Sequence, residues 1–237
     1  KINFSYPQGE ISDYRHELDL HTAINTVSYK VGNTEYIRQC IASNPDDVVA
    51  MHIKASRPKA ITMELELKLL RQANVVASGN QLIYTGNAEF EKHGKGGVHF
   101  EGRIAVQIKG GTIKAEGKKL YIEKATEVTL LSDVRTNFKN NTFSGYNYKI
   151  KCEKTIELAS KKDFKTLKKK HIEDYSPLFS RVGLSFEHHA KFDHLPNDER
   201  WARVKKGESD PGLDALFFQY ARYLLIASSR PNSPLPV

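Results

Sequence analysis

Cysteine is nearly missing from this chain of 237 residues, which carries only Cys40 and Cys152 and no CxxC spacing. That excludes a disulfide framework and a four-cysteine zinc site, and leaves two free thiols or one bridge as readings. Both cysteines are expected in strands. No apolar run approaches the roughly 20 residues of a membrane-spanning helix. GxxxxGK[ST] and GxSxG are absent, so neither a P-loop nor a nucleophile elbow has support. Gly94, Gly96 and Gly97, with Lys92 and Lys95, read as a hairpin loop. His188, His189 and His194 form the single histidine cluster, in an expected loop. A metal wants its ligands on a rigid, hydrogen-bonded frame, so no metal ligand is assigned.

Anionic charge is in deficit: 36 Lys and Arg against 28 Asp and Glu give a net charge of +8. Nucleic acid is the partner such a balance first suggests. Much of the excess is Lys161, Lys162, Lys165, Lys168, Lys169 and Lys170, on an expected amphipathic helix. No RNA-reading aromatic motif accompanies them. They read as a solvated helix face, and nucleic acid is not expected as a partner.

Alternation fills the first two-thirds. Ile24–Val31 and Glu35–Ser43 flank a Gly32-Asn33 turn, and Asn44-Pro45-Asp46-Asp47 turns into Val48–Ala55. Ile61, Met63, Leu65, Leu67 and Leu69 alternate with Thr62, Glu64, Glu66 and Lys68, one face buried and one wet. Val98, Phe100, Ile104, Val106 and Ile108 repeat this, with Gly102 as a candidate bulge. Gly110-Gly111 turns into Leu120–Ala125 and Val128–Val134. Strand following strand argues for packed antiparallel sheets.

The composition shifts after about Asn137. Asn140, Asn141, Ser144, Gly145 and Asn147 read as a polar loop, and a helical linker begins near Cys152. Phe164, Leu167, His171, Tyr175, Leu178 and Val182 share a helical face, with Pro177 expected to start a second helix capped by Ser176. Val182–Phe186 reads as a short return strand, and 188–207 as polar and irregular, a linker or an ordered surface loop. Leu213, Leu216, Phe217, Tyr220, Ala221, Leu224 and Ala227 then mark a helix with Asp210 as cap and Pro211 in its first turn. It is apolar on most sides near Tyr223–Ala227, and Pro231 is expected to stop it. Lys1–Phe4 reads as a strand interior, and little sequence follows the helix. The expectation is therefore a fragment, with its larger partner domain downstream.

Carboxylate pairs are what glycosidases use, one as acid and one as base or nucleophile. Glu17 and Asp19, Glu64 and Glu66, and Asp198 and Glu199 are such pairs in sequence, yet each reads as ordinary solvated charge. None is assigned a catalytic role.

A family resemblance runs through blocks in shared order. DYRHELDLHTAINTVSYKVGNTEYIRQCIASNPDDVV (13–49), GGTIKAEGKKLYIEKATEVTLLSDVRT (110–136), HIEDYSPLFSRVGLSF (171–186), LPNDER (195–200), DPGLDALFFQYARYLL (210–225) and RYLLIASSRP (222–231) resemble glycoside hydrolase family 95. These are the inverting α-L-fucosidases. The chain departs from the family at Gln39-Cys40-Ile41, usually Glu-Val-Phe, at Ala221, often Gly, and at Asn232, in place of the Gly of SSRPG.

The resemblance implies a mainly β architecture: an antiparallel β-supersandwich of the galactose-mutarotase type, a helical linker, and the first helix of a truncated (α/α)6 barrel. The corresponding boundaries are 1–150, 151–208 and 209–237. It also implies hydrolysis of terminal α-1,2-linked L-fucose from glycans with inversion and without a cofactor. α-L-Galactosidase and a non-catalytic sugar-binding or scaffold sandwich are the alternatives. The family's acid is a Glu, and its water is activated by Asn with help from an Asp, all in the barrel beyond Val237. No catalytic residue is therefore expected in this chain. Arg230, just past the last helix, is its candidate substrate-side residue, against the simpler role of neutralising helix carbonyls. Fucosylated oligosaccharides are the implied ligands, the missing barrel is the implied packing partner, and the implied location is secreted or periplasmic.

Overall fold

The computed structural model describes residues 2–4, 9–70, 72–88, 97–138, 147–186 and 189–230. Among the described residues twelve strands precede the helices. They are β1 (Ile2–Phe4), β2 (Ile11–Asp19), β3 (Ile24–Val31), β4 (Thr34–Ser43), β5 (Val48–Ala55), β6 (Ile61–Leu67), β7 (Ala73–Ser78), β8 (Gln81–Ala88), β9 (Val98–Lys109), β10 (Thr112–Glu116), β11 (Lys119–Ala125) and β12 (Glu127–Thr136). A four-stranded sheet has the order β1-β6-β11-β10, and an eight-stranded sheet the order β2-β3-β4-β5-β12-β9-β8-β7. Pairings are antiparallel throughout the four-stranded sheet and from β3 to β7 of the eight-stranded one. The helices are α1 (Tyr148–Ser160), α2 (Phe164–Phe179), α3 (Asn197–Val204) and α4 (Pro211–Ser228). The expected class, an antiparallel sandwich followed by helices, is the observed one. No helix among the described residues is long and apolar enough to cross a membrane.

The chain divides into two compact units. One comprises Lys1–Leu18 and Ile24–His171, the other Asp19–Ala23 and Ile172–Val237. In the first, alternation decides the layers. Ile61, Met63 and Leu65 of β6 and Leu120 and Ile122 of β11 share a core with Val27, Ile53, Leu82, Ile104, Val106, Val128 and Leu130 of the larger sheet. Full burial of each such aliphatic side chain contributes roughly 1.5–3 kcal/mol. The intervening residues of β9 and β12, Ala105 and Leu131, face the other way and are equally buried. Helix α1 covers them, packing on β9 and β12 and burying Cys152, Ile156 and Ala159. Asn147 caps α1 by accepting from the Ile150 amide at 3.1 Å. Cys152 thus lies in a helix rather than a strand, and the expected linker is in its first part a helix fitted to the sheet. Both thiols are free.

Several expectations need correction. Gly102 makes no bulge: it keeps register between Tyr84 and Val134. A Cβ there would lie 2.0 Å from the Tyr84 ring, so the glycine makes room for an aromatic on the next strand. The register shift falls in β11 between Ile122 and Ala125, beside Lys124 with φ of 53°. Pro177 does not start a new helix but sits inside the last turn of α2. There its missing donor costs one backbone bond only, and Ser176 Oγ donates to His21 O instead of capping. Val182–Phe186 forms no strand; the Arg222 guanidinium takes the Val182 carbonyl at 2.6 Å. The stretch after His188 is not an irregular linker, since it holds a 3-10 turn at His189–Phe192 and then α3. The glycine-rich loop at 92–96, the Asn140–Gly145 loop, His188, Pro231 and Asn232 lie outside the described residues.

Candidate functional site

Helix α4 begins as its sequence dictates. Asp210 accepts from the Leu213 amide at 3.0 Å and Pro211 occupies the first turn. Its first turn is buried through Gly212, Leu213 and Ala215. From there its apolar character outruns its cover. Phe217, Tyr220, Leu224 and Leu225 are 54%, 43%, 47% and 57% exposed, and Leu216 is half-buried. A side apolar by sequence is thus open in this chain.

Asp210 has a second task. Its two oxygens receive Arg200 Nε at 2.8 Å and Nη2 at 2.7 Å, a bidentate pair with both side chains buried. Asp193 takes Nη1 at 3.2 Å. The Arg200 hydrogen bond and the Leu213 amide hold the Asp210 carboxyl below the usual carboxylate range, although burial opposes them. Arg200 is the buried face of α3. This is why the segment read as irregular: the residue it buries is charged.

Arg230 lies 2.8 Å from Asp174 Oδ2 of α2, a charge contact off the hydrogen-bonding line, and is mostly buried. The next two residues of α2 are also engaged. Tyr175 Oη donates to Leu20 O at 3.0 Å, and Ser176 Oγ to His21 O at 2.8 Å. Burial, with Tyr223 nearby, pushes the Tyr175 phenol up to about 12. The Leu20–His21 turn is itself pinned by Asp19, which accepts from the His21 amide and the Thr22 hydroxyl. Arg222 caps the end of α2 through Leu178 O and Val182 O and lies over the Phe179 ring. The structure thus joins Asp174 of one resemblance block to Arg230 of another, and Tyr175 and Ser176 to Leu20 and His21 of a third.

On the outer face of the larger sheet lies a charge lattice that sequence reasoning missed. Arg103 binds Glu101 at 2.9 Å and Glu153 of α1 at 3.1 Å, while Arg135 binds Asp133 at 2.8 Å and Asp47 at 2.6 Å. Register sets Asp133 opposite Arg103 and Arg135 opposite Glu101. The signal was present as acid-x-Arg in Glu101-Gly102-Arg103 and Asp133-Val134-Arg135. Burial pushes the Asp133 carboxyl up, against the pull of Arg135. Burial and the neighbouring carboxylates push the Cys152 thiol up to about 12. Through Glu153 and Arg103 these ion pairs hold α1 on the sheet.

The paired carboxylates of the sequence are ordinary charges. Glu17 meets Arg15, Glu64 meets Lys119, Glu66 meets Lys68, and Asp198 and Glu199 lie exposed in the first turn of α3. Among the described residues no three His, Cys, Asp or Glu side chains gather to hold a metal. Lys161, Lys165, Lys169 and Lys170 are exposed. Lys162 departs from the solvated-face expectation by pairing with the buried carboxylate of Asp46, and Lys168 donates to Gln39 Oε1 at 3.0 Å.

Comparison with known proteins accounts for both parts. Residues 1–141 match the glycosyl hydrolase family 65 N-terminal domain, and 163–237 match the glycosyl hydrolase family 95 catalytic domain. Alpha-L-fucosidase 2 of Arabidopsis thaliana is 32% identical over 94% of the chain. "Probable alpha-fucosidase A" of Aspergillus niger is 30% identical over 99% of it. The chain spans 30% and 31% of the length of these relatives. A solved structure assigned as a kojibiose phosphorylase from the human microbiome covers 76% of this chain and is itself covered to 27%. Its TM-score of 0.54 at 11% identity is a likeness of fold alone. The chain belongs to the glycosyl hydrolase family 65 N-terminal domain family through residues 1–141, which are more than half of it, and its residues 163–237 match the glycosyl hydrolase family 95 catalytic domain.

Proposed function

We propose that this chain is part of an α-L-fucosidase that removes terminal α-1,2-linked L-fucose from glycans with inversion, and that the chain alone does not catalyse. One observation carries the reading: relatives named as α-fucosidases align with nearly all of the chain, across sandwich and helices alike. Inversion needs an acid and a base roughly 6.5–9.5 Å apart with water between them. The buried carboxylates described above, Asp46, Glu101, Asp133 and Asp210, are each paired with a Lys or Arg, which supports a structural role. The acid and base belong to the remainder of the catalytic domain, for which α4 is the first helix and its open apolar side the packing surface. Arg230 lies toward the substrate side of that domain, and the protein works outside the cytoplasm, where fucosylated glycans are found.

The test is turnover of 2′-fucosyllactose by this chain and by a longer protein carrying the rest of the catalytic domain, with the released anomer followed by NMR. Release of β-L-fucose by the longer protein alone supports the reading. Turnover by the 237-residue chain overturns its non-catalytic part. Release of L-galactose but not L-fucose from matched substrates moves the assignment to an α-L-galactosidase. No turnover by either leaves a sugar-binding or scaffold sandwich.

A further inference from the structure

We propose that Asp174, Tyr175 and Ser176 form a positioning junction that fixes the end of α4 and the Asp19–Ala23 turn for catalysis; this rests on the hydrolase reading above. Three consecutive helical residues point about 100° apart, so they reach three directions at once. Here Asp174 holds Arg230, Tyr175 holds Leu20 O, and Ser176 holds His21 O. Tyr175 also packs its ring against Phe179 and edge-on to Tyr223 of α4.

Both objects held are ones that need holding. Helix α4 stops at Ser228, and Ser229 is already extended, its amide making the last backbone bond of the helix to Leu225 O. Arg230 is anchored one residue beyond that bond, so Asp174 fixes where the chain leaves the helix. The turn has Ala23 at φ of 52°, a left-handed conformation that alanine adopts at a cost, with Asp19 bracing it from the other side. A misplacement on the order of 1 Å transmitted to a catalytic group can cost roughly 100-fold in rate. A junction binding an arginine and two carbonyls at adjacent positions limits displacements of that size.

Tyr175→Phe removes one hydroxyl and keeps the ring; Asp174→Asn removes the charge and keeps the size. Hydrogen exchange on the 237-residue chain reads the junction directly. Faster exchange at 20–24 in Tyr175→Phe and at 229–230 in Asp174→Asn is expected, with α3 unchanged. Exchange equal to the parent at both places overturns the proposal. In the longer protein, assayed well below its melting temperature, both variants are expected to lose roughly 10–100-fold in kcat/KM. Asp174→Glu should recover part of the loss. A lowered melting temperature with unchanged kcat/KM makes the residues merely structural and overturns the positioning role. If the unsubstituted longer protein turns over no glycoside, the hydrolase reading fails and the role in catalysis fails with it; the exchange result then still reports the contacts themselves.

Discussion

Asp210 without Arg200 is a carboxylate stranded where water does not reach. Breaking one side of a buried pair of this kind costs about 3–5 kcal/mol, far more than the pair contributes when intact. Arg200→Ala should therefore destabilise the second unit by that order. The single tryptophan is Trp201, the next residue of α3, so its fluorescence reports the loss in urea. The Asp210 carboxyl is held low when folded, so its contribution is present above the unfolded value near ~4 and disappears as pH falls through the folded one. His52 is shifted in the same direction by a different cause. Its ring stacks on Phe164 at 4.6 Å and meets Thr129 Oγ1 at 2.9 Å. Burial lowers its pKa, Glu127 opposes the shift, and Lys54 and Lys168 add to it. The unfolded chain thus takes up the proton first, and stability should fall as pH drops below 6.5. The difference between the parent and His52→Gln, measured from pH 7.5 to 5.5, isolates this contribution and should shrink toward acid. Cys152 should not react with Ellman's reagent at pH 8 until the chain is unfolded, since its thiol is both buried and pushed up to about 12. Rapid labelling of Cys152 in the native chain would contradict its place on the buried side of α1.

At the scale of elements, β8 and β9 meet where Tyr84 lies over Gly102. Gly102→Ala should cost about 1–3 kcal/mol, as overpacking does, because the obstructing group is an aromatic ring wedged in the core. Far-UV circular dichroism in urea checks it, and a neutral result would mean that the ring moves aside freely. Elements written in apolar periodicity were legible: β3, β4 and β5 and the cap of α4 fall where alternation and Asp210-Pro211 place them. Elements organised by something else were not. The β7–β8 hairpin turns at Gly79-Asn80, but β7 has six residues of which Val75 alone is buried. Helix α3 buries an arginine, so a search for apolar stripes passes over it. The lattice of Glu101, Arg103, Asp133 and Arg135 needed the β9–β12 register before its members became neighbours. Arg230 could be singled out by position, but its partner Asp174 could not.

For the whole molecule, the open side of α4 is the feature with the largest solution consequence. Phe217, Tyr220, Leu224 and Leu225 add to Trp201, whose ring lies 5.9 Å from that of Phe217. Apolar patches beyond a few hundred Å² are rare on monomers. The 237-residue chain should therefore enhance the fluorescence of anilinonaphthalene sulfonate while natively folded. The double variant Phe217→Glu, Leu224→Glu should abolish most of that signal without changing the circular dichroism. An unresponsive parent chain would mean that the surface is covered in solution.

The short turn between β2 and β3 sets a limit on how such proteins can be recombined. Its residues, Asp19–Ala23, group with the helices from Ile172 onward, while the strands on either side group with the sandwich. Tyr175 and Ser176 use its carbonyls. The two family matches, by contrast, divide the chain into consecutive stretches. A chimera cut between those stretches would take the helices of one parent and this turn from the other. Successful grafts should be those in which Asp19–Ala23 travel with a block that begins some 150 residues later.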